Sequence, residues 1–199
     1  MALESATCEI KPGDQIALMG PSGSGKSTLL QVLGGLESPT KGTISWPILG
    51  EKDFLRPYHI SFIFQMPSLV APLSVVENVE LPLLLMNTDT KSARTEAMNA
   101  LEQLNMHYLA HKLPEELSGG QAQRVAVARA LAGKPQLILA DEPIGQLDHP
   151  TANFMMDTLF ASLNETGAAI VVATHDPEIA QRFDMKWHMY RGRLEVEGA

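Results

Sequence analysis

The chain has 199 residues, 45% hydrophobic and 19% charged, which is enough apolar content for one substantial core and too little charge for a disordered polymer. Its formal net charge of -8 argues against nucleic acid as a partner, since that surface needs clustered Lys and Arg. The single cysteine, Cys8, leaves no internal disulfide, and the start MALESATCEIKPGD lacks the basic-then-apolar pattern of a signal peptide, so a cytoplasmic location is expected.

Short apolar runs alternate with helical patterns, the arrangement of βαβ units around a mainly parallel sheet, so the fold class is α/β. Gln15–Met19 reads as the first buried strand, followed by a glycine-rich turn and a helix from about Ser27 to Gly34. The turn GPSGSGKST runs through Gly20, Pro21, Ser22, Gly23, Ser24, Gly25, Lys26, Ser27 and Thr28, and it satisfies G-x-x-x-x-G-K-[ST] between a strand and a helix. Glycine lets backbone N–H groups curl around a β-phosphate, and the helix start adds partial positive charge. Lys26 should bridge the β- and γ-phosphates and Ser27 should ligate Mg²⁺, which makes this a P-loop NTPase core taking ATP and Mg²⁺.

His59–Phe64 is the second expected strand. The run from Ser68 to Asn87 is strongly apolar but broken by Glu77, Asn78, Glu80 and two prolines, so it fails as a membrane span. Thr90–Met106 and Gly119–Ala132 carry helical spacing and belong to a helical lobe, approximately residues 68–132, inserted in the core. His107 and His111 are four apart with no acidic or cysteine partner nearby, a poor metal site. No repeat or long linker marks a second domain, so residues 1–199 form one unit.

Gln136–Asp141 and Ala168–Thr174 are two further strands, each ending in chemistry. A strand buried to its C-terminal end delivers Asp141 to the crevice where open α/β sheets bind ligands. Asp141 is expected in the Mg²⁺ shell through water, and Glu142 is free to orient or deprotonate an attacking water. His175 follows the next strand on the same edge, placed to polarise the γ-phosphate.

A second anion-binding turn, ELSGGQ, opens the helix at Ser118, Gly119 and Gly120. It cannot be the primary cradle of the nucleotide that Lys26 holds. A head-to-tail pair of chains would bring it to the γ-phosphate of the opposite chain's ATP.

The ordered set GPSGSGKST, Gln65 after a strand, LSGGQ at Leu117 to Gln121, LILADE, GQLD with Asp148, and THD with His175 resembles the ATP-binding cassette (ABC) ATPases from about Ile10 to Arg193. The resemblance implies a homodimer around two ATP molecules, each held by Lys26, Ser27, Gln65, Asp141, Glu142 and His175 of one chain and the signature residues Ser118, Gly119, Gly120 and Gln121 of the other. It also implies that Gln65 joins Mg²⁺ and the attacking water to the segment after it, and that Asp148 crosses the dimer interface. The wording LMGPSGSGKSTLLQVLGGLESPTKG and ADEPIGQLD is similar to the macrolide-exporter and lipoprotein-release branch. In that branch the ATPase serves an integral membrane permease, here expected to dock between Gln65 and Leu84 and to hold the chain peripherally at the inner face of the membrane.

Several positions depart from the family pattern. No aromatic residue stands upstream of Lys26 to stack on adenine, with Trp46 or Tyr58 as possible substitutes, and the passage GTISWPILGEKDFLRPYH implies a small, trimmed antiparallel β-lobe. Ile144 and Gln146 replace the branch's Thr and Asn. Two rival readings are a non-hydrolysing ATP switch gating a membrane partner, opposed by the presence of Glu142 and His175, and a soluble cassette acting on nucleic acid, opposed by the absence of coiled-coil insertions or basic surfaces.

Overall fold

Apolar runs that are buried on both faces read as continuous rather than alternating, and the central strands of the computed structural model show why. It describes residues 3–145 and 147–196, so Gln146 lies outside the described residues. Twelve principal elements follow in order: β1 (Gln15–Met19), α1 (Lys26–Leu33), β2 (Ile60–Ile63), α2 (Val75–Leu85), α3 (Thr90–Gln103), α4 (Gly119–Ala132), β3 (Leu137–Asp141), α5 (His149–Thr166), β4 (Ala169–Thr174), α6 (Pro177–Ala180), β5 (Met185–Tyr190) and β6 (Arg193–Val196). The strands form one sheet in the order β2-β3-β4-β1-β5-β6. All pairs are parallel except β5 with β6.

Successive side chains on a strand point to opposite faces, and each face has its own core. Ile16, Leu18, Leu139, Val171 and Trp187 pack with Leu29 and Leu30 of α1. Ala17, Ile138, Ile170 and Val172 face the other way, toward Val125 and Val127 of α4 and Met155 and Leu159 of α5. The parallel register aligns Met19 with Thr174, Asp141 with Ala173 and Ile63 with Ala140. The residues that follow each strand therefore emerge along one edge of the sheet.

The Ser68–Asn87 run holds a helix that its prolines and polar residues disguise. Glu77 accepts from the Ser74 amide at 2.8 Å and closes the start of α2. Asn78, fully buried, accepts from Val70 N at 2.7 Å and donates to Leu73 O at 2.9 Å, so it pins the preceding loop. Buried Glu80 is paired with Arg94 of α3. Among the described residues no helix is long and apolar enough to cross a membrane.

One expectation is corrected. Among the described residues, the passage between α1 and β2 contains no strand, only a 3-10 turn at Lys52–Phe54, so the antiparallel β-lobe is trimmed away entirely there. Pro39, Pro47 and Pro57 interrupt it, and proline cannot donate to a strand ladder. The antiparallel part of the sheet is the β5–β6 hairpin instead.

Candidate functional site

The end of β1 and the start of α1 are joined by a loop that only glycine permits at its first turn. Gly20 has φ 151, and a Cβ built there would stand 2.2 Å from the Met189 carbonyl oxygen of β5. Lys26 Nζ donates to Gly20 O at 2.8 Å and Pro21 O at 3.2 Å, closing the loop over its own helix start. From the other side the Gly192 amide, in the β5–β6 turn, donates to Ser24 O at 2.8 Å. That brace was not visible in the sequence, although Arg191-Gly192 at φ 48 and 79 is a residue pair suited to a tight hairpin turn.

A cavity of about 500 Å³ opens above this loop. Ser22, Gly23, Gly25, Lys26, Ser27 and Thr28 form one wall, while Gln65, Asp141, Glu142 and His175, from the ends of β2, β3 and β4, form the other. Gly20, Pro21 and Ser24 shape the loop from beneath without lining the cavity.

Glu142 is the conformationally costly member. Its φ of 48 is left-handed, which costs a non-glycine residue about 1–2 kcal/mol. Its amide donates to Ala173 O at 2.9 Å, tying the turn after β3 to β4. Its carboxylate Oε2 lies 2.9 Å from His175 Nδ1. The Glu142 side chain is only 13% exposed whereas that of His175 is 72% exposed. The pair thus presents a shielded carboxylate, able to accept a proton, beside an imidazole open to a ligand.

The donor set around Ser27 is all oxygen: its hydroxyl, the Asp141 carboxylate and the Gln65 amide line the same cavity. Hard oxygen donors suit Mg²⁺, which keeps waters and phosphate oxygens rather than seeking a full protein cage. No cluster of three His, Cys, Asp or Glu residues able to hold a metal occurs among the described residues.

The other singled-out residues lie elsewhere. Ser118 caps α4, its hydroxyl accepting from Gln121 N at 3.3 Å while Gln121 Oε1 accepts from Ser118 N at 2.9 Å. Gly119 and Gly120 form the first turn of that helix, outside the cavity. Asp148 caps α5 by accepting from Thr151 N at 2.9 Å, and this bond, with the more distant charge of Arg124, holds its carboxyl below the ordinary range. Trp46 donates its Nε1 to Leu33 O at 2.7 Å, at the far end of α1, and neither it nor Tyr58 lines the cavity.

A second, shallower groove of about 320 Å³ runs between the end of α2 and the edge strand β2. Its apolar wall includes Leu36, Phe62, Leu81 and Leu85, and Arg56 and Arg129 supply positive charge.

A sequence profile described as ABC transporter matches residues 3–145. The chain is 44% identical over 200 residues to the lipoprotein-releasing system ATP-binding protein LolD of Legionella pneumophila (strain Paris), covering 96% of the chain and 88% of that protein. LolD of Bordetella pertussis (strain Tohama I) is 40% identical, with 98% and 87% covered. Among solved structures, the dimeric ATP-binding cassette MJ0796 in a post-hydrolysis state with ADP and Pi superposes with a TM-score of 0.89 at 36% identity, covering 100% of this chain and 91% of that one. The cbiO1 subunit of Clostridium perfringens, part of the cbiONQ transporter complex, does so with a TM-score of 0.83 at 31% identity, covering 98% and 80%.

Proposed function

The chain belongs to the ABC transporter family, and on that premise we propose that it is the ATP-hydrolysing subunit of a membrane transporter, acting as a head-to-tail homodimer. The observation that carries this reading is the meeting of the Lys26 loop with Gln65, Asp141, Glu142 and His175 in one cavity while the Ser118 helix start stands outside it. ATP phosphates lie along the loop amides, with Lys26 turning from its loop carbonyls to the β- and γ-phosphates. Ser118, Gly119 and Gly120 of a second chain close over the γ-phosphate, with Gln121 fixing the cap.

Ser27, Gln65 and, through water, Asp141 would hold Mg²⁺. When bound, the ion neutralises charge developing on the β- and γ-phosphate oxygens. Glu142 accepts a hydrogen bond from the attacking water and takes its proton as the water oxygen bonds to the γ-phosphorus and the bond to the β-γ bridging oxygen breaks. His175 steadies the departing phosphate through the imidazole edge that Glu142 does not occupy. Charge-assisted contacts to both chains depend on the γ-phosphate, so closure is lost when phosphate leaves.

The permease docks along the apolar stretch from Gln65 to Leu84, where the groove offers Leu81 and Phe62 to a short helix of the partner. It thereby holds the chain at the cytoplasmic face of the membrane. The similarity to LolD places the transporter in the lipoprotein-release and macrolide-exporter branch.

Glu142→Gln tests the reading, because it keeps the shape of the site and removes the base. ATP affinity should stay within about twofold, turnover should fall at least about 100-fold, and light scattering with ATP and Mg²⁺ should show a stable dimer. Undiminished turnover would refute the role of Glu142.

A further inference from the structure

Glu142 and His175 directly follow β3 and β4, whereas Gln65 stands two residues beyond β2 on an irregular segment, so something other than the sheet must fix it. That segment is fastened to α4 on both sides. Before it, the Gln123 side chain, 3% exposed, donates its Nε2 to Phe64 O at 3.3 Å. After it, the Arg129 guanidinium donates to Ser68 O at 2.7 Å and to Ser68 Oγ at 3.1 Å. Gln65, Met66 and Pro67 form the short bridge between the two clasps. The Gln123 Oε1 has no hydrogen-bond partner in its buried place. Burying an amide is unfavourable unless it is hydrogen-bonded, so the bond to Phe64 O holds Gln123 in this place.

The helix that carries both clasps begins at Ser118, Gly119 and Gly120. Gln123 lies about 7.5 Å along the axis from Ser118 and Arg129 about 16.5 Å, at 1.5 Å per residue. A helix with Val125, Ala126, Val127 and Ala128 all buried moves as a rod, so whatever holds its start sets the position of both clasps.

We infer that Gln123 and Arg129 are positioning residues for turnover, which make the place of Gln65 in its own chain's cavity follow the seating of Ser118 on the second chain's phosphate. The inference rests on the roles given above to Gln65 and Ser118. It adds a specific link by which the two sites of the dimer sense one another. Arg129 and Ser68 also line the groove assigned to the permease, so an occupant of the groove pulls on the same bridge.

The test uses the full chain with ATP and Mg²⁺. Gln123→Leu removes the donor at similar volume, Arg129→Gln removes the fork, and Arg129→Lys keeps a donor for Ser68 O. The first two should lower kcat about 10-fold with KM and ATP affinity unchanged, since misplacing a reacting group by an ångström costs up to about 100-fold. Amide hydrogen exchange across residues 65–70 should rise in both, and Arg129→Lys should recover at least half of the lost turnover.

Gln123→Leu added to Gln65→Ala should cost nothing beyond Gln65→Ala alone, because residues acting through one another are not additive. Full turnover and unchanged exchange in Gln123→Leu and Arg129→Gln would overturn the inference, as would losses that simply multiply in the double variant. If Gln123→Leu melts early, the Arg129 pair decides: recovery by lysine supports the clasp, and equal loss in both variants overturns it. Normal turnover in Gln65→Ala would instead defeat the underlying role of Gln65, whereas slow Gln65→Ala beside normal clasp variants defeats only the inference.

Discussion

Gly34 shows how tightly single positions are held. It ends α1 against the sheet, and a Cβ there would stand 2.1 Å from Phe62 Cζ and 2.9 Å from Leu139 Cδ1. Gly34→Ala should therefore lower unfolding free energy by about 1–3 kcal/mol, the usual cost of overpacking, as read by denaturant titration. The glycine-rich loop that carries Lys26 and Ser27 was legible because its spacing between a strand and a helix is itself the signal. Glu142 was legible as a carboxylate at a strand end. Its left-handed backbone and its bond to His175 were not, because both depend on β3 lying beside β4, a pairing that no local pattern encodes. Trp46 was offered as an adenine platform on residue type alone, and its hydrogen bond to Leu33 O puts it at the wrong end of α1.

The starts of α2, α3 and α5 are fastened by carboxylates, and acid should loosen them together. Asp89 at the start of α3 accepts from Ser92, Asp148 at the start of α5 from Thr151, and Glu77 in the first turn of α2 from Ser74. Those hydrogen bonds hold all three carboxyls below their ordinary range. A depressed folded-state value means that the stabilisation is complete above the ordinary carboxylate pKa and is lost as pH falls through the lowered value. Melting temperature should accordingly drop between about pH 5 and about pH 2. Asp89→Asn, which still caps but does not titrate, should flatten part of that fall. A slope identical to that of the parent would show that α3 contributes nothing to it. At this scale β1, α4 and the ends of β3 and β4 could be read from their apolar runs. The β5–β6 hairpin was not recognised, because Lys186, His188 and Tyr190 alternate with Trp187 and Met189 and lower its mean hydropathy.

At the scale of the proposed dimer, the cavity and the Ser118 helix start are separate features of one chain. Ser118→Arg should leave ATP binding to the monomer within about twofold while preventing the ATP-dependent doubling of mass in a Glu142→Gln background, because a long side chain replaces the small cap and fills the space proposed for the second chain's phosphate. Light scattering decides it, and a dimer that still forms would sever α4 from the shared site. The proposal of a second chain starts from the two turns alone. The groove was legible only as an apolar stretch, because Leu36, Phe62 and Leu81 come from three distant parts of the chain. The β5–β6 hairpin that presses on the glycine-rich loop couples two segments far apart in the chain. Gly20 rests on the Met189 carbonyl and Ser24 O receives the Gly192 amide, so opening of the hairpin leaves the loop without this brace. Fraying of that hairpin would therefore be felt at the loop, as faster amide exchange across residues 20–25, before the central strands open.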